Sequence, residues 1–281
     1  EIGVRLVGSE MCIRDRNIQR FLFETKGGVV MRGKQIMTVT GPVNANLLGT
    51  VYSHEHLIVQ PQIPDEKYIA YTLSDENASA KEVQLFANAG GKTIVEMTPI
   101  NYGRDVLAYQ RIAKKTGIYV ICCTGFHKEL FMPSWFKEKK SSQIYDEVLN
   151  EIENGIDKTS IRPGVIKMGT SFENITDQER RAVEIVARLH QDTGIMISTH
   201  CDKGTMGIEQ LDLLEHYGVS AKDVLLGHID SKHDIDYAKE LCKRGAKICI
   251  DHVGRSLSDH DAFCVQLITE LIDCLLYTSD A

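Results

Sequence analysis

Seven short runs of apolar, often β-branched residues alternate with amphipathic stretches of helical length along most of this sequence. Such alternation is typical of βα units, in which parallel strands form a sheet that helices cover. We expect strands at residues 49–54, 93–98, 119–124, 164–169, 195–200, 224–228 and 247–251, and helices that include residues 105–116, 142–154, 176–193, 207–217, 235–244 and 259–273. The sequence therefore predicts an α/β fold of the TIM (β/α)8 barrel type.

The ends of the predicted helices carry signals that support this interpretation. Thr176 stands three residues before Glu179, the spacing of a capping box, in which each side chain bonds the other residue's amide. Several helices are followed by glycine, the residue that most easily adopts the left-handed conformation needed there. These glycines are Gly117, Gly194, Gly218 and Gly245.

The number of strands limits how far the barrel can close. A TIM barrel has eight strands, and the sequence supplies seven before the helix predicted at residues 259–273. We therefore expect an incomplete barrel in which strand eight is missing. Two strand edges would stay unpaired, so we also expect the chain to fold poorly.

Both ends of the chain are expected to be foreign to the domain. The bases that can encode residues 11–15 are the reverse complement of bases that can encode residues 274–279, and this inverted repeat resembles a sequencing adapter. We expect residues 1–16 and 274–281 to be adapter-derived read-through and residues 17–30 to be an untranslated leader. The hydrolase domain is then residues 31–273, with Met31 or Met37 as its start.

Composition favours small-molecule chemistry over polymer binding. The 281 residues carry a net charge of −7, and their Lys and Arg are not clustered, so nothing indicates a nucleic-acid or membrane surface. No apolar run approaches the roughly 18 residues of a membrane span. The eight cysteines fall at irregular spacings, as is usual for reduced thiols. We expect a cytoplasmic protein with a small-molecule substrate and leave a homodimer open.

Four histidines stand at the ends of three predicted strands. His54 and His56 are two residues apart, so both project to the same side of the first strand, while His200 and His228 close the fifth and sixth. Imidazoles that converge at strand ends are suitable ligands for zinc, cobalt or manganese. Histidines in helical or loop stretches are expected on solvated faces, namely His190, His216, His233 and His260.

Lys167 lies within the fourth predicted strand, where an ammonium group would be buried at a large desolvation cost. Burial lowers the pKa of a lysine and makes its amine nucleophilic. Such an amine can take up carbon dioxide as a carbamate, whose oxygens can bridge two metal ions. Without the histidines, a lysine whose amine reaches the barrel rim would be an equally good interpretation.

Together these residues resemble the phosphotriesterase family of the amidohydrolase superfamily, which includes phosphotriesterase-like lactonases. The resemblance covers residues 37–273 and rests on the segments GTVYSHEHL (49–57), GRD (103–105), Lys167, STH (198–200), GHID (227–230) and IDH (250–252). It implies that His54 and His56 hold one divalent ion and His200 and His228 a second, with carboxylated Lys167 as the bridge. Zinc is the expected metal, manganese and cobalt are alternatives, and carbon dioxide is required.

The resemblance also implies a mechanism. A hydroxide shared by the two ions attacks a lactone, a carboxylic ester or a phosphoester, and an aspartate on strand eight takes up its proton. This sequence has no such aspartate, so we expect this chain to be inactive. Asp251 belongs to the seventh strand and is assigned to the substrate pocket and not to a metal. A single-metal deaminase and a metal- or sugar-binding barrel without activity are the alternatives.

Substrate specificity is expected in the loops that follow the strands. Lys128 and Arg255 are suited to hold a carboxylate or phosphate, although solvated loop residues would look the same. By family analogy, we favour a lactone or carboxylic ester over an organophosphate. The candidate substrate-binding residues are Phe126, His127, Lys128, Asp251, His252 and Arg255.

Overall fold

The computed structural model describes residues 34–63, 66–254 and 259–274. The expected read-through at residues 1–16, the leader at residues 17–30, Met31 and residues 275–281 lie outside these ranges, as does Arg255. Met37 lies in the first strand, and Cys274 directly follows the last helix.

Seven parallel strands form one sheet, in which each strand pairs with the next along the chain. A two-stranded antiparallel hairpin, β1 (Gln35–Thr38) and β2 (Gly41–Asn44), precedes them. The seven are β3 (Thr50–Glu55), β4 (Gly91–Glu96), β5 (Tyr119–Gly125), β6 (Val165–Thr170), β7 (Ile197–Cys201), β8 (Val224–Gly227) and β9 (Lys247–Ile248).

Helices follow the strands, six of them where the sequence predicts helices. They are α1 (Glu76–Asn88), α2 (Val106–Thr116), α3 (Trp135–Glu138), α4 (Ser141–Asn154), α5 (Asp177–Thr193), α6 (Gly207–His216), α7 (Ile235–Lys243) and α8 (Asp259–Asp273). The capping box of α5 is present, since Thr176 and Glu179 each accept the other's backbone amide. Gly117 and Gly194 have φ angles of 73° and 68°, the left-handed conformation expected at these helix ends.

The sheet curls so that its two edge strands approach each other. Ser53 on β3 and Cys249 just beyond β9 lie 3.8 Å apart, measured from Oγ to Sγ. The described residues contain no eighth strand between these edges. The fold is therefore an incomplete (β/α) barrel, which confirms the prediction.

The last strand is shorter than predicted. Pairing between β8 and β9 is limited to Leu225 with Lys247 and Leu226 with Ile248. Only Gly227 of β8 lies beyond this pair, because His228 has a φ of +63° and turns the chain out of the sheet. The segment that contains Asp251, predicted as strand, is therefore irregular backbone.

The sequence analysis did not predict the hairpin β1–β2, which covers the N-terminal end of the barrel strands. Val39 donates from its amide to the carbonyl of Val120, the second residue of β5, at 2.8 Å. A Cβ atom on Gly164 would lie only 2.7 Å from the carbonyl oxygen of Met37. The hairpin therefore closes this end, and the opposite end, where the strands finish, is left for a site.

The cysteines behave as predicted where the structure describes them. None of the seven described cysteines forms a disulfide bond, and Cys122, Cys123, Cys201, Cys249 and Cys264 are buried. Within the described ranges, no helix combines the length and apolar character that a membrane crossing requires.

Candidate metal centre

The five predicted ligands meet at the C-terminal ends of four strands. His54 lies near the end of β3, His56 just after it, Lys167 in β6, His200 in β7 and His228 just after β8. The ring centroids of His54 and His228 are 4.7 Å apart, as are those of His200 and His228. Those of His54 and His56 are 5.7 Å apart. Residues separated by up to 174 positions in sequence thus form one cluster.

Lys167 lies within this cluster, and only 1% of its surface is exposed. Its Nζ is 3.1 Å from Nε2 of His54. Burial lowers the pKa of Lys167, although nearby Cys123, Cys249 and Asp251 act in the opposite direction. A lysine without its proton is the form that reacts with carbon dioxide.

Three histidines of the cluster are held neutral. Burial, followed by the charge of Lys167, lowers the pKa of His56 to about 3 and that of His54 well below its usual value. Burial and the neighbouring His127 lower the pKa of His200 in the same way. A neutral imidazole has a free lone pair, which is what a metal ion requires.

Hydrogen-bond partners determine which nitrogen carries that lone pair. Nδ1 of His228 lies 3.0 Å from one oxygen of Asp251, and Nδ1 of His54 lies 3.4 Å from the other. Because an ionised carboxylate only accepts hydrogen bonds, His228 keeps its proton on Nδ1, and Nε2 of its ring is left to bind a metal. Asp251 is too far from His54 for a hydrogen bond, but its negative charge favours a proton on Nδ1 of that ring as well, while Nε2 of His54 faces the amine of Lys167.

Asp251 is ionised in this position. Burial raises its pKa, but electrostatic attraction to the imidazole rings of His228, His54 and His252, together with the hydrogen bond from His228, lowers it further than burial raises it. Asp251 therefore lies on the Nδ1 side of one histidine from each predicted pair, His54 from the first and His228 from the second. Carboxylates in this position orient metal-binding histidines in other proteins.

His56 is oriented by a different pair of residues, which the sequence analysis missed. Its Nδ1 lies 2.8 Å from Oγ1 of Thr98, and Thr98 donates to Oε1 of Glu96 at 2.5 Å. Glu96 is fully buried at the end of β4, and burial raises its pKa to about 7. A glutamate within the apolar run TIVEMT was the sequence signal that could have identified it.

The donor set fits a metal centre. Nε2 of His200 is buried and has no hydrogen-bond partner among the described atoms. A buried polar nitrogen without a partner is costly unless a ligand satisfies it. Four imidazoles and an amine able to form a carbamate match the nitrogen and oxygen ligands that zinc and similar divalent ions prefer.

Two aromatic rings stand beside the centre. His127, a predicted substrate residue, has its ring 4.3 Å from that of His200 and 4.8 Å from that of Tyr102, measured between centroids. Tyr102 was not identified from the sequence, and its ring is 6.0 Å from that of His56. Both side chains are buried, so they form an apolar wall against the histidines.

The other predicted substrate residues differ in position. Phe126 is fully buried and packs against Phe136 and Trp135, so its assignment to the substrate pocket is corrected to the hydrophobic core. Lys128 lies at the edge of the centre, where its Nζ forms an ion pair with Asp202 at 2.5 Å.

His252 lies at the centre, with its ring 4.8 Å from that of His228. Of the four histidines expected on solvated faces, His216 and His233 are exposed. His190 and His260 are buried, and the prediction is wrong for them. His190 bonds the carbonyl of Ile195, and His260 faces Asp230, because each projects from the inner face of its helix.

Comparisons with known proteins agree with this arrangement. The sequence profile of the phosphotriesterase family matches residues 34–276. The phosphotriesterase homology protein of Escherichia coli is 32% identical over 209 residues, which are 74% of this chain and 71% of that protein. A phospho-furanose lactonase of Mycoplasmopsis synoviae is 32% identical over 260 residues, 86% of this chain and 74% of that protein.

Solved structures give the same result. A lactonase from Listeria monocytogenes is 30% identical and superposes with a TM-score of 0.81, over 85% of this chain and 79% of its own. The organophosphorus hydrolase from Deinococcus radiodurans is 29% identical, with a TM-score of 0.77 over 89% of this chain and 79% of its own.

Proposed function

This chain belongs to the phosphotriesterase family of hydrolases, and we propose that it acts on a lactone or carboxylic ester at a centre of two divalent metal ions. The observation that carries the proposal is Lys167, which is buried with its amine 3.1 Å from a histidine nitrogen and is surrounded by histidines from three other strands. A carbamate on this amine would supply the ligand that the two ions share.

The proposed ligands divide into two sets. His54 and His56 would hold one ion, and His200 and His228 would hold the other, with Lys167 shared between them. When bound, the ions would supply a hydroxide nucleophile at neutral pH and would polarise the bond that is broken. The neutral state of His54, His56 and His200 supports this assignment, because protonated imidazoles could not bind.

Other side chains of the chain prepare the centre. Asp251 and Thr98 accept from Nδ1 of His228 and His56, and the charge of Asp251 favours the same tautomer of His54, so that the Nε2 atoms would be the ligands of the proposed ions. The rings of Tyr102 and His127 exclude water from one side. No residue of this chain is assigned to the proton uptake that the resemblance places on strand eight.

A lactone is favoured over a phosphotriester for a comparative reason. Relatives include phospho-furanose lactonases and a structurally similar lactonase, although an aryldialkylphosphatase of Saccharolobus solfataricus is also 28% identical. We propose Lys128 as a residue that binds an anionic group on the substrate. Its ammonium has three protons, and only one is needed for Asp202.

The carbamate provides the first test. The chain is loaded with zinc in ¹³C-labelled bicarbonate, and the carbamate carbonyl is sought by ¹³C NMR while bound zinc is counted. We expect a carbamate signal that is absent from Lys167→Ala, together with a loss of about two zinc ions from that variant. Lys114→Ala, which removes an exposed lysine, is the control and should match the unmodified chain. Zinc bound without a carbamate would favour the single-metal deaminase.

Turnover provides the second test. Because the implied aspartate belongs to strand eight, turnover is measured in a fusion that adds the eighth strand and helix of the Escherichia coli relative after Asp273. We expect metal-dependent hydrolysis of lactones or carboxylic esters, with phosphotriesters slower. A fusion that carries carbamate and zinc but gives no turnover above its Lys167→Ala variant would favour a metal-binding barrel without activity.

A further inference from the structure

A second cluster of metal-ligating side chains lies outside the five-ligand centre. It consists of Asp230, in the turn that follows β8, and of His260 and Cys264 on α8. Asp230 is fully buried, Cys264 is 1% exposed and His260 is 9% exposed. Nothing in the proposed hydrolysis uses His260 or Cys264.

The three ligand atoms converge on one point. His260 and Cys264 are four residues apart on α8, so they share one face of the helix. Nε2 of His260 is 2.9 Å from Oδ2 of Asp230 and 3.4 Å from Sγ of Cys264, and all three atoms lie within 4.8 Å of one another. Around a tetrahedral zinc ion, nitrogen and oxygen would be about 3.3 Å apart and nitrogen and sulfur about 3.6 Å. The nitrogen–oxygen and nitrogen–sulfur distances are therefore within a few tenths of an ångström of those around a zinc ion.

Hydrogen bonds alone do not satisfy this cluster. The carboxylate of Asp230 accepts at Oδ2 from His260 and from the amide of His252, but Oδ1 accepts no hydrogen bond within the described ranges. Its nearest recorded cation is Nδ1 of His252, at 3.4 Å. A buried carboxylate oxygen without a donor is destabilising, and a bound cation would remove that cost.

His260 has the partner that a metal-binding histidine requires. Its Nδ1 lies 2.7 Å from Nε2 of His233, which is exposed and can adopt either tautomer. When His260 binds through Nε2, its Nδ1 proton is donated to His233. Such a hydrogen bond on the far nitrogen is the usual support for a histidine ligand.

From this geometry we propose a further metal site, in which Asp230, His260 and Cys264 bind one thiophilic divalent cation, with zinc as the natural occupant. A water molecule or the second oxygen of Asp230 completes the coordination. On binding, Cys264 loses its proton to the solvent and becomes a thiolate. Burial raises the pKa of this thiol to about 12, so the thiolate forms only with the metal. The ion would join α8 to the turn that follows β8.

Cobalt distinguishes this site from the five-ligand centre. The full chain is loaded with Co²⁺, and the near-ultraviolet absorption band of a cobalt–thiolate bond is recorded. The five-ligand centre offers nitrogen and oxygen only, so the band reports a cysteine ligand. We expect the band in the unmodified chain, its loss in Cys264→Ser and in His260→Gln, and the loss of about one bound ion from each variant.

Cys249 supplies the matched control, because it also lies near a histidine and a carboxylate, those of His54 and Asp251. Cys249→Ser should keep the band. Circular dichroism confirms that each variant is folded, and His260→Gln tests the site without altering a thiol. The absence of a band from the unmodified chain, or its loss in Cys249→Ser and retention in Cys264→Ser, would overturn the proposal. Neither result bears on the carbamate of Lys167, so failure here is separate from failure of the proposed hydrolase.

Discussion

At the scale of single residues, the centre is defined as much by the groups behind the histidines as by the histidines themselves. A histidine binds metal through only one of its two nitrogens, and the hydrogen bond made by the other nitrogen decides which one. Asp251 makes that choice for His228 through a hydrogen bond and favours the same choice for His54 through its charge, and Thr98 with Glu96 makes it for His56. These residues should therefore control metal affinity without touching a metal.

Replacing Asp251 by asparagine tests the first of these contacts. The asparagine amide has one accepting oxygen, and its other group is an NH2 that only donates. It can therefore accept from Nδ1 of only one of the two histidines. We expect zinc affinity to fall about 10- to 100-fold, measured by competition with a chelator. Asp236→Asn, which changes an exposed carboxylate, should bind like the unmodified chain. Equal affinity in the two variants would show that Asp251 does not orient the ligands.

Glu96 makes metal binding depend on pH. Burial raises its pKa from 4.5 to about 7, whereas His56, with a pKa of about 3, is neutral throughout this range. Ionised Glu96 accepts the Thr98 proton, so that Thr98 accepts from Nδ1 of His56 and Nε2 stays free. A protonated Glu96 can instead donate to Thr98, and the proton of His56 then moves to Nε2.

The sign of this effect follows from the raised pKa. Below about 7 the folded chain must release the Glu96 proton to bind metal, so affinity should rise by up to about tenfold per pH unit and level off above 7. Glu96→Gln keeps an acceptor for Thr98 and should flatten this rise between pH 5 and 7. Glu82→Gln, at an exposed position of α1, should retain it. Titration calorimetry across this range measures the slope, and an unchanged slope in Glu96→Gln would assign it to another group.

At the scale of elements, buried polar contacts hold the loops that follow the strands, at the end of the barrel where the site lies. Glu179, in the first turn of α5, is fully buried. It accepts hydrogen bonds from the amide of Glu129, from the amide and hydroxyl of Ser171, and from the amide of Thr176. One carboxylate thus ties the loops after β5 and β6 to the start of a helix. The capping box is therefore also a tertiary contact.

Two substitutions separate the local and tertiary parts of this contact. Thr176→Ala removes only the cap and should lower the free energy of unfolding by about 1 kcal/mol. Glu179→Ala leaves several buried donors without an acceptor and should lower it by roughly 3–4 kcal/mol. Denaturation with urea measures both. Equal losses would mean that Glu179 acts only as a cap.

At the scale of the whole molecule, the proposed metals would join distant parts of the chain. Their ligands come from β3, β6, β7 and β8, and β3 is an edge of the curled sheet. Asp251, just beyond the opposite edge strand, contacts histidines of β3 and β8. Bound ions would therefore hold the two edges in register.

Metal removal should then destabilise the fold. At 100 times its dissociation constant, a ligand of the folded state adds about 2.7 kcal/mol of stability per site. For a chain of this size we expect the melting temperature to rise by roughly 2–4 °C for each kcal/mol. Chelation should reverse the shift, and Lys167→Met should lose most of it. A melting temperature that zinc leaves unchanged would show that the centre does not stabilise the barrel.

The sequence by itself determined the succession of strands and helices and the five proposed ligands. Periodicity and helix caps are local, and a histidine at the end of an apolar strand can be recognised without knowing its neighbours. The incomplete barrel was predictable for the same reason, since it follows from counting βα units.

Only the tertiary structure decided which side chains stand behind those ligands. Glu96 and Thr98 reach His56 from a neighbouring strand, and Phe126 faces the core although it follows a strand end, as a pocket residue would. Likewise, His260 meets Asp230 because α8 packs on the turn after β8. Such contacts depend on how elements pack in three dimensions. Sequence spacing does not encode this packing, because the residues concerned lie on different strands, turns and helices that meet only in the folded chain.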